Sequence, residues 1–356
     1  MKNRIYVCHT YYHVYVTFLK EFQLPEEERG NATLVLSKMS NDFENLKQRI
    51  EALDFFEEVL EYDEQRESTF PELAKYRHPE KNFLKALWNR ILFTKKFGKA
   101  QEAYVPVDFK EYGEVYVYCD SDPIGYFLNY KKIPYHAMED GLNCLMNFDA
   151  ARYDNRGHFG LKAFLSSKLN LIFVQNGYGK YCIDMEVNNI SAIKYPCPKY
   201  KEVPRQPMVD GLTREQKDIL LRAFVKNMDA LVETMEKGEH HDNKMLILTE
   251  PLCDLQTRER IFRDIIDMCG ENAQIYLKPH PRDVLDYEKL FGEYNIIDKT
   301  VPMEMLNFFP GLMFERLYSV FTVVDSIQYA KEKISLGPDF MDKYEEPDIH
   351  RQNEKI

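Results

Sequence analysis

Short apolar runs separated by amphipathic stretches recur along the whole chain. In the first half, Arg4–Cys8, Ala32–Ser37, Glu57–Tyr62, Glu114–Cys119 and Pro134–Met138 read as strands, compact and rich in Val, Leu and Tyr. Helical spacing follows in the stretch up to Phe22, from Asp42 to Leu53 and from Pro123 to Tyr130. The second half repeats the alternation. Leu171–Gln175, Ala192–Tyr195, Met245–Thr249, Gln274–Lys278 and Val320–Val324 predict strands. Leu212–Lys237 predicts one long amphipathic helix, Arg258–Cys269 a second that Gly270 stops, and Val284–Tyr294 a third. Pro196–Val209 reads as a loop or linker, and the polar stretch beyond Ala330 is helix-compatible. Strands that alternate with helices imply βαβ units and parallel sheets. The expectation is an α/β protein of two doubly wound halves, 1–160 and 161–356, joined through the polar segment Asp149–His158, with the C-terminal helix packing back on the first half.

Composition narrows the function. The 356 residues are 44% hydrophobic and 29% charged, the balance of a globular chain long enough for two cores. A net charge of −11 argues against nucleic acid as a partner. Cys8, Cys119, Cys144, Cys182, Cys197, Cys253 and Cys269 are dispersed without a CxxC pair, so they read as reduced thiols in a cytoplasmic protein. No signal-peptide pattern and no run of about 18 apolar residues is present. Between Lys81 and Lys99 six basic residues interleave with Phe83, Leu84, Leu87, Trp88, Ile91, Leu92 and Phe97. That pattern fits a helix packed on the domain or on the second copy of a homodimer, and less well a peripheral contact with the inner membrane face.

Candidate chemistry gathers just past the strands, where parallel sheets present ligands. Glu139-Asp140-Gly141 follows one strand; Gly141 frees the backbone, and Asp140 is placed to take a proton. The bland reading of Asp140 is a helix N-cap. Lys278-Pro279-His280-Pro281-Arg282 follows another strand: two prolines stiffen the chain about an imidazole whose ordinary pKa of about 6.5 suits proton donation. Lys278 and Arg282 add positive charge for an anion. His78-Pro79 lacks a preceding strand and carries no role. Asp325-Ser326 would sit at a strand-to-helix turn able to hold a phosphate. Thr249-Glu250-Pro251-Leu252-Cys253-Asp254 supplies a second candidate base in Asp254, and His9-Thr10-Tyr11-Tyr12-His13 a cluster able to bind sugar. Asp120-Ser121-Asp122 has the look of a metal-binding pair, but Pro123 makes Asp122 read better as an N-cap. His240-His241-Asp242 reads as a solvated loop tip. No dinucleotide fingerprint or P-loop occurs.

Taken together, the start Ile5–His13, Glu139-Asp140-Gly141, Thr249-Glu250-Pro251, Lys278-Pro279-His280-Pro281, Val301-Pro302-Met303-Glu304 and Asp325-Ser326 resemble the bacterial sialyltransferases of glycosyltransferase family 52, which include lipooligosaccharide sialyltransferases. The resemblance implies a GT-B fold of two Rossmann-like domains. It implies an inverting transfer of sialic acid from CMP-Neu5Ac to a terminal galactoside of a surface glycan, with no metal or other cofactor. His280 would assist departure of CMP, with Asp140, or Asp254 as its rival, as the base. Lys278, Pro281, Arg282, Thr249, Glu250, Glu304, Asp325 and Ser326 would bind the donor; His9, Thr10, Tyr11, Glu139 and Gly141 would meet the acceptor or sugar. Relatives have Ser-Ser or Ser-Thr where this chain has Asp325-Ser326, an acid unfavourable beside a phosphate unless it points away. CMP-Kdo or another nucleotide sugar as donor, and an inactive GT-B protein that binds nucleotide or glycan, are the alternatives.

Overall fold

The structure is a computed structural model. It describes residues 2–39, 42–118, 120–141, 145, 150–236, 243–309 and 311–350. Cys119, Cys144, Lys237 and His240-His241-Asp242 lie outside the described residues. The chain divides into two compact units, Met1–Leu212 and Thr213–Ile356.

The first unit is built on strands β1 (Lys2–Cys8), β2 (Ala32–Ser37), β3 (Glu58–Tyr62), β4 (Tyr112–Tyr118), β5 (Tyr135–Met138), β6 (Cys182–Val187) and β7 (Tyr200–Glu202). They form one parallel sheet in the order β3-β2-β1-β4-β5-β6-β7. Its helices are α1 (Tyr11–Phe22), α2 (Leu46–Glu51), α3 (Phe83–Ala100), α4 (Pro123–Lys131), α5 (Ala150–Asp154), α6 (Phe159–Ser167) and α7 (Arg205–Asp210). Strand order reverses between β1 and β4, so the ligand-binding switch point of a doubly wound sheet lies beyond the ends of those strands. Ile5, Val7, Val35, Val115, Val117, Ala137 and Met185 make one continuous core on the sheet.

The second unit carries β8 (Lys244–Leu248), β9 (Gln274–Lys278), β10 (Asn295–Ile296), β11 (Phe314–Ser319) and β12 (Ala330–Ser335), all parallel, in the order β10-β9-β8-β11-β12. Helices α8 (Arg214–Phe224), α9 (Met228–Glu236), α10 (Leu255–Cys269), α11 (Tyr287–Phe291), α12 (Gly337–Met341) and α13 (Pro347–His350) surround it. Ile261, Phe262 and Ile265 of α10 pack with Phe340 and Met341 of α12 in its core.

Several expectations need correction. The boundary falls between Leu212 and Thr213 rather than at 160/161, because β6 and β7 extend the first sheet. Strand β6 escapes the apolar pattern because it carries Asp184 and Glu186; His136 Nδ1 contacts Asp184 at 2.6 Å and Lys20 Nζ donates to Glu186 at 2.7 Å. Leu171–Gln175 and Ala192–Tyr195 are not strands, and Pro196–Val209 holds β7 and part of α7 rather than only loop. The long helix expected from Leu212 is two, since Val225 ends α8 in an extended conformation. The terminal stretch is β12 with two short helices, and Phe340 and Met341 tie α12 into the second unit's own core. Helix α3 buries Phe93 and Phe97, and Gly98 lets Tyr126 and Tyr130 of α4 come close, while Phe83, Leu84 and Trp88 at its other end stay exposed. Among the described residues no helix is long and apolar enough to cross a membrane.

Candidate active site

At the carboxyl end of the first sheet, loops after β1, β3, β4 and β5 bring five ionisable groups together. They are His9, His13, Glu64, Asp122 and Asp140. Thr10 caps α1, its hydroxyl accepting from the His13 amide at 3.2 Å, and this starts the helix so that His13 stands one turn past His9. The His9 amide donates to His13 Nδ1 at 3.0 Å, and His13 Nε2 meets Asp140 Oδ1. Asp140 follows β5, and Gly141 has φ +86, the left-handed conformation expected of it. The Asp140 side chain is 34% exposed, so a substrate hydroxyl can reach it.

The layer beneath is an ion pair. His9 Nε2 lies 2.7 Å from Glu64 Oε2, both fully buried, with Ser37 Oγ donating to the same oxygen at 2.7 Å. Burial works to lower the His9 pKa, but the carboxylates of Glu64, Asp122 and Asp140 outweigh it and raise it to about 9. Asp122 is the N-cap of α4 with Pro123 after it, as expected, yet its carboxylate makes no cap hydrogen bond. Glu64 takes that place from outside the helix, accepting from the Ile124 amide at 2.6 Å. Asp122 instead lies 3.5 Å from His9, and burial, helped by Glu64 and Asp140, lifts its pKa to about 7. Asp120 is structural. Burial raises its pKa to about 6, and it accepts from the amides of Asn176 and Gly177 and from the Tyr135 hydroxyl.

Several residues expected to meet the acceptor also make contacts within the first unit. His9 is buried in its ion pair, Thr10 is a cap, and Tyr11 is buried beside Phe43. Glu139 is 1% exposed and accepts from the Asn188 amide at 2.7 Å, which anchors the loop after β6.

In the second unit, His280 stands past β9. Its amide donates to Thr249 Oγ1 at 3.2 Å, and its Nδ1 accepts from the Arg282 amide at 3.1 Å. A ring that accepts at Nδ1 carries its proton on Nε2. Burial, with Arg282 and Lys278, lowers the His280 pKa to about 4, against a smaller opposing pull from Asp283. His280 is therefore a neutral Nε2–H donor at neutral pH, not the half-charged imidazole its ordinary pKa suggests. Arg258 of α10 braces the turn. It pairs with Asp283 and donates to the carbonyls of Leu252 and Cys253 at 2.7 and 2.9 Å. Asp283 also accepts from the Tyr287 hydroxyl at 2.8 Å. Pro281 flanks His280 and Arg282 is exposed, where an anion can meet it.

Four further expectations change. Lys278 is 5% exposed and its ammonium donates inward, to the carbonyls of Pro279 at 2.9 Å and Lys299 at 3.1 Å. Burial lowers its pKa to about 7, with Asp298 and Glu304 as the charges that oppose the shift. Glu250 accepts from the consecutive amides of Val320, Phe321 and Thr322 at 2.9–3.1 Å. That capture takes the apolar run Val320–Val324 out of the sheet, so β11 ends at Ser319. Asp325 and Ser326 consequently lie in an exposed turn, closed by the Ile327 amide on the Val324 carbonyl, with β12 and no helix after it. Asp254 caps α10, accepting from the Thr257 amide and hydroxyl at 3.0 and 2.8 Å, contacts that lower its pKa and make it the weaker candidate base. Glu304, beside Lys278, has a pKa raised by burial.

Sequence reasoning placed His13 in the cluster His9–His13 but gave it no role of its own, though its spacing of one helical turn from His9 was the available signal. Glu64 and Arg258 gave none.

Comparisons with known proteins agree with this architecture. A family model described as Glycosyltransferase family 52 matches residues 89–333, more than half of the chain. An uncharacterized protein of Haemophilus influenzae is 31% identical over 94 residues, which are 25% of this chain and 30% of that protein's length. An α/β-galactoside α-2,3-sialyltransferase of Photobacterium phosphoreum superposes with TM-score 0.51 and 14% identity, covering 93% of this chain and 89% of that one. A 2,6-sialyltransferase of Photobacterium sp. JT-ISH-224, solved with CMP and lactose, gives TM-score 0.56 and 8% identity over 93% of this chain and 71% of that one. At those identities the likeness shows a shared GT-B fold.

Proposed function

The chain belongs to glycosyltransferase family 52, and from that premise we propose that it transfers sialic acid from CMP-Neu5Ac to a terminal galactoside of a surface glycan, with inversion and without a metal ion. The observation that carries the reading is the partly exposed Asp140 carboxylate at the switch point of the first sheet, backed by a buried imidazole. The fold likeness to an enzyme solved with CMP and lactose supports the choice of donor and acceptor class.

In this reading the acceptor hydroxyl gives its proton to Asp140 as its oxygen attacks the anomeric carbon. The bond from that carbon to the phosphate oxygen breaks, and the electron pair leaves on CMP. Neutral His280 donates a hydrogen bond from Nε2 to the departing phosphate and keeps its proton, and Arg282 adds positive charge, so CMP leaves as the anion. One displacement inverts the centre.

Incubation with CMP-Neu5Ac and lactose tests it. Sialyllactose and CMP are expected from the unaltered protein, with and without EDTA, and not from His280→Ala. Calorimetry that finds UDP bound and CMP ignored would defeat the reading, and turnover of CMP-Kdo alone would replace the donor sugar.

A further inference from the structure

We propose that His13 is the positioning residue for Asp140, acting as a neutral imidazole that donates from Nε2 to the carboxylate. This rests on Asp140 as the base. The His13 side chain is 0% exposed. Its Nδ1 accepts from the His9 amide at 3.0 Å. A proton on Nδ1 would set one N–H against another inside the protein, so the ring carries its proton on Nε2, which faces Asp140 Oδ1.

The ring itself cannot turn. Tyr118 of β4 stacks on it at 4.2 Å and 8°, and His9 meets it edge-on at 6.0 Å. Tyr118 is held through its hydroxyl on Thr17 Oγ1 at 3.1 Å, and the Thr17 hydroxyl donates back to the His13 carbonyl at 2.9 Å. Among the described residues, charged groups around the pair include Asp140, Asp122, Glu64 and the His9 imidazolium, with Arg66 acting on Asp122. The donation fixes which way the carboxylate lies and favours its charged form, so removing it both loosens the base and raises its pKa.

Release of CMP from CMP-Neu5Ac with lactose, followed against pH, tests this in four proteins. Asp140→Asn is expected to lose roughly 10²-fold or more, the scale of a lost general base. His13→Leu is expected to lose roughly 10²-fold in kcat, the scale of a misplaced catalytic group, with KM for the donor unchanged and the acidic limb of kcat/KM moved to higher pH. His13→Gln, which keeps a donor near the Nε2 position, is expected to recover most of the rate and the original limb. An inactive Asp140→Asn beside a His13→Leu of normal kcat and unmoved limb defeats the positioning role alone. A fully active Asp140→Asn defeats the base and this inference together. Nitrogen-15 resonances of His13 in the unaltered protein decide independently of turnover and of whether His13→Leu folds. Protonated Nε2 with no titration between about pH 5 and 8 supports the inference, and an imidazolium or an Nδ1–H tautomer overturns it.

Discussion

Lys278→Met should remove a gain in the stability of the second unit as pH rises above about 7. The Lys278 amine is 5% exposed, and its pKa falls from 10.5 to about 7 because burial penalises the ammonium. Below about pH 7 the amine is charged in both folded and unfolded chains, and the burial cost is constant. Between about pH 7 and the unfolded value of 10.5 the folded amine is neutral while the unfolded one still holds its proton. The unfolded state then binds more protons, so the unaltered protein gains stability as pH rises. Each unit of displacement is about 1.4 kcal/mol, so the full span from 10.5 to about 7 is worth about 4–5 kcal/mol. Methionine has similar length and no proton, so the variant lacks this gain. It also strips the carbonyls of Pro279 and Lys299 of a donor, a cost of about 1–3 kcal/mol each that does not vary with pH. The slope, not the offset, is therefore the diagnostic. Urea unfolding read by pulsed hydrogen exchange in β9 is the assay, since Trp88, the one tryptophan, lies in the first unit. From about pH 7 to pH 10 the variant should fall behind by about 1.4 kcal/mol per unit. A stability difference that stays flat over that range would show that Lys278 is charged in the fold, and would refute the reasoning.

Glu250→Ala leaves the Val320, Phe321 and Thr322 amides without their carboxylate; a loss of about 3 kcal/mol or more in stability and faster exchange of those amides are expected, and unchanged exchange would contradict the clamp. Glu64→Gln should cost about 3–5 kcal/mol by leaving the His9 imidazolium buried without its anion. Because the raised His9 pKa stabilises the fold fully below about 6.5 and ceases to as pH passes about 9, that stretch of the stability curve should flatten in Glu64→Gln. His280 should titrate near 4 in the free protein and move upward when CMP is added, since a phosphate anion offsets Arg282 and Lys278; nitrogen-15 shifts report it, and an ordinary pKa that ignores CMP would count against its placement.

The alternation of apolar runs and helices was enough to read two parallel sheets, because β2 and β9 hold unbroken apolar centres, Leu34-Val35-Leu36 and Ile275-Tyr276-Leu277. It failed where tertiary partners neutralise polar residues, as His136 and Lys20 do for β6, and where a distant side chain ends a strand, as Glu250 does for β11. The site followed the same division. Asp140, Gly141 and His280 stand where strand ends put them. Lys278, Glu250 and Asp254 read as ligand-binding or catalytic because charge at a strand end looks the same in sequence whether it faces solvent, backbone or ligand. Only the hydrogen bonds distinguish these cases, and for these three the partners are backbone carbonyls, backbone amides and a threonine. His13 is the converse, a buried helix residue that sequence placed in a ligand-binding cluster and that the fold turns toward Asp140.

Asp140 as the base and His280 as the donor to CMP are tested most directly by a crystal structure with CMP and lactose bound. A galactose hydroxyl should lie within about 2.6–3.2 Å of the Asp140 carboxylate, with His280 Nε2 at a similar distance from the CMP phosphate. Lactose seated away from Asp140, or a phosphate held without His280, would contradict these roles.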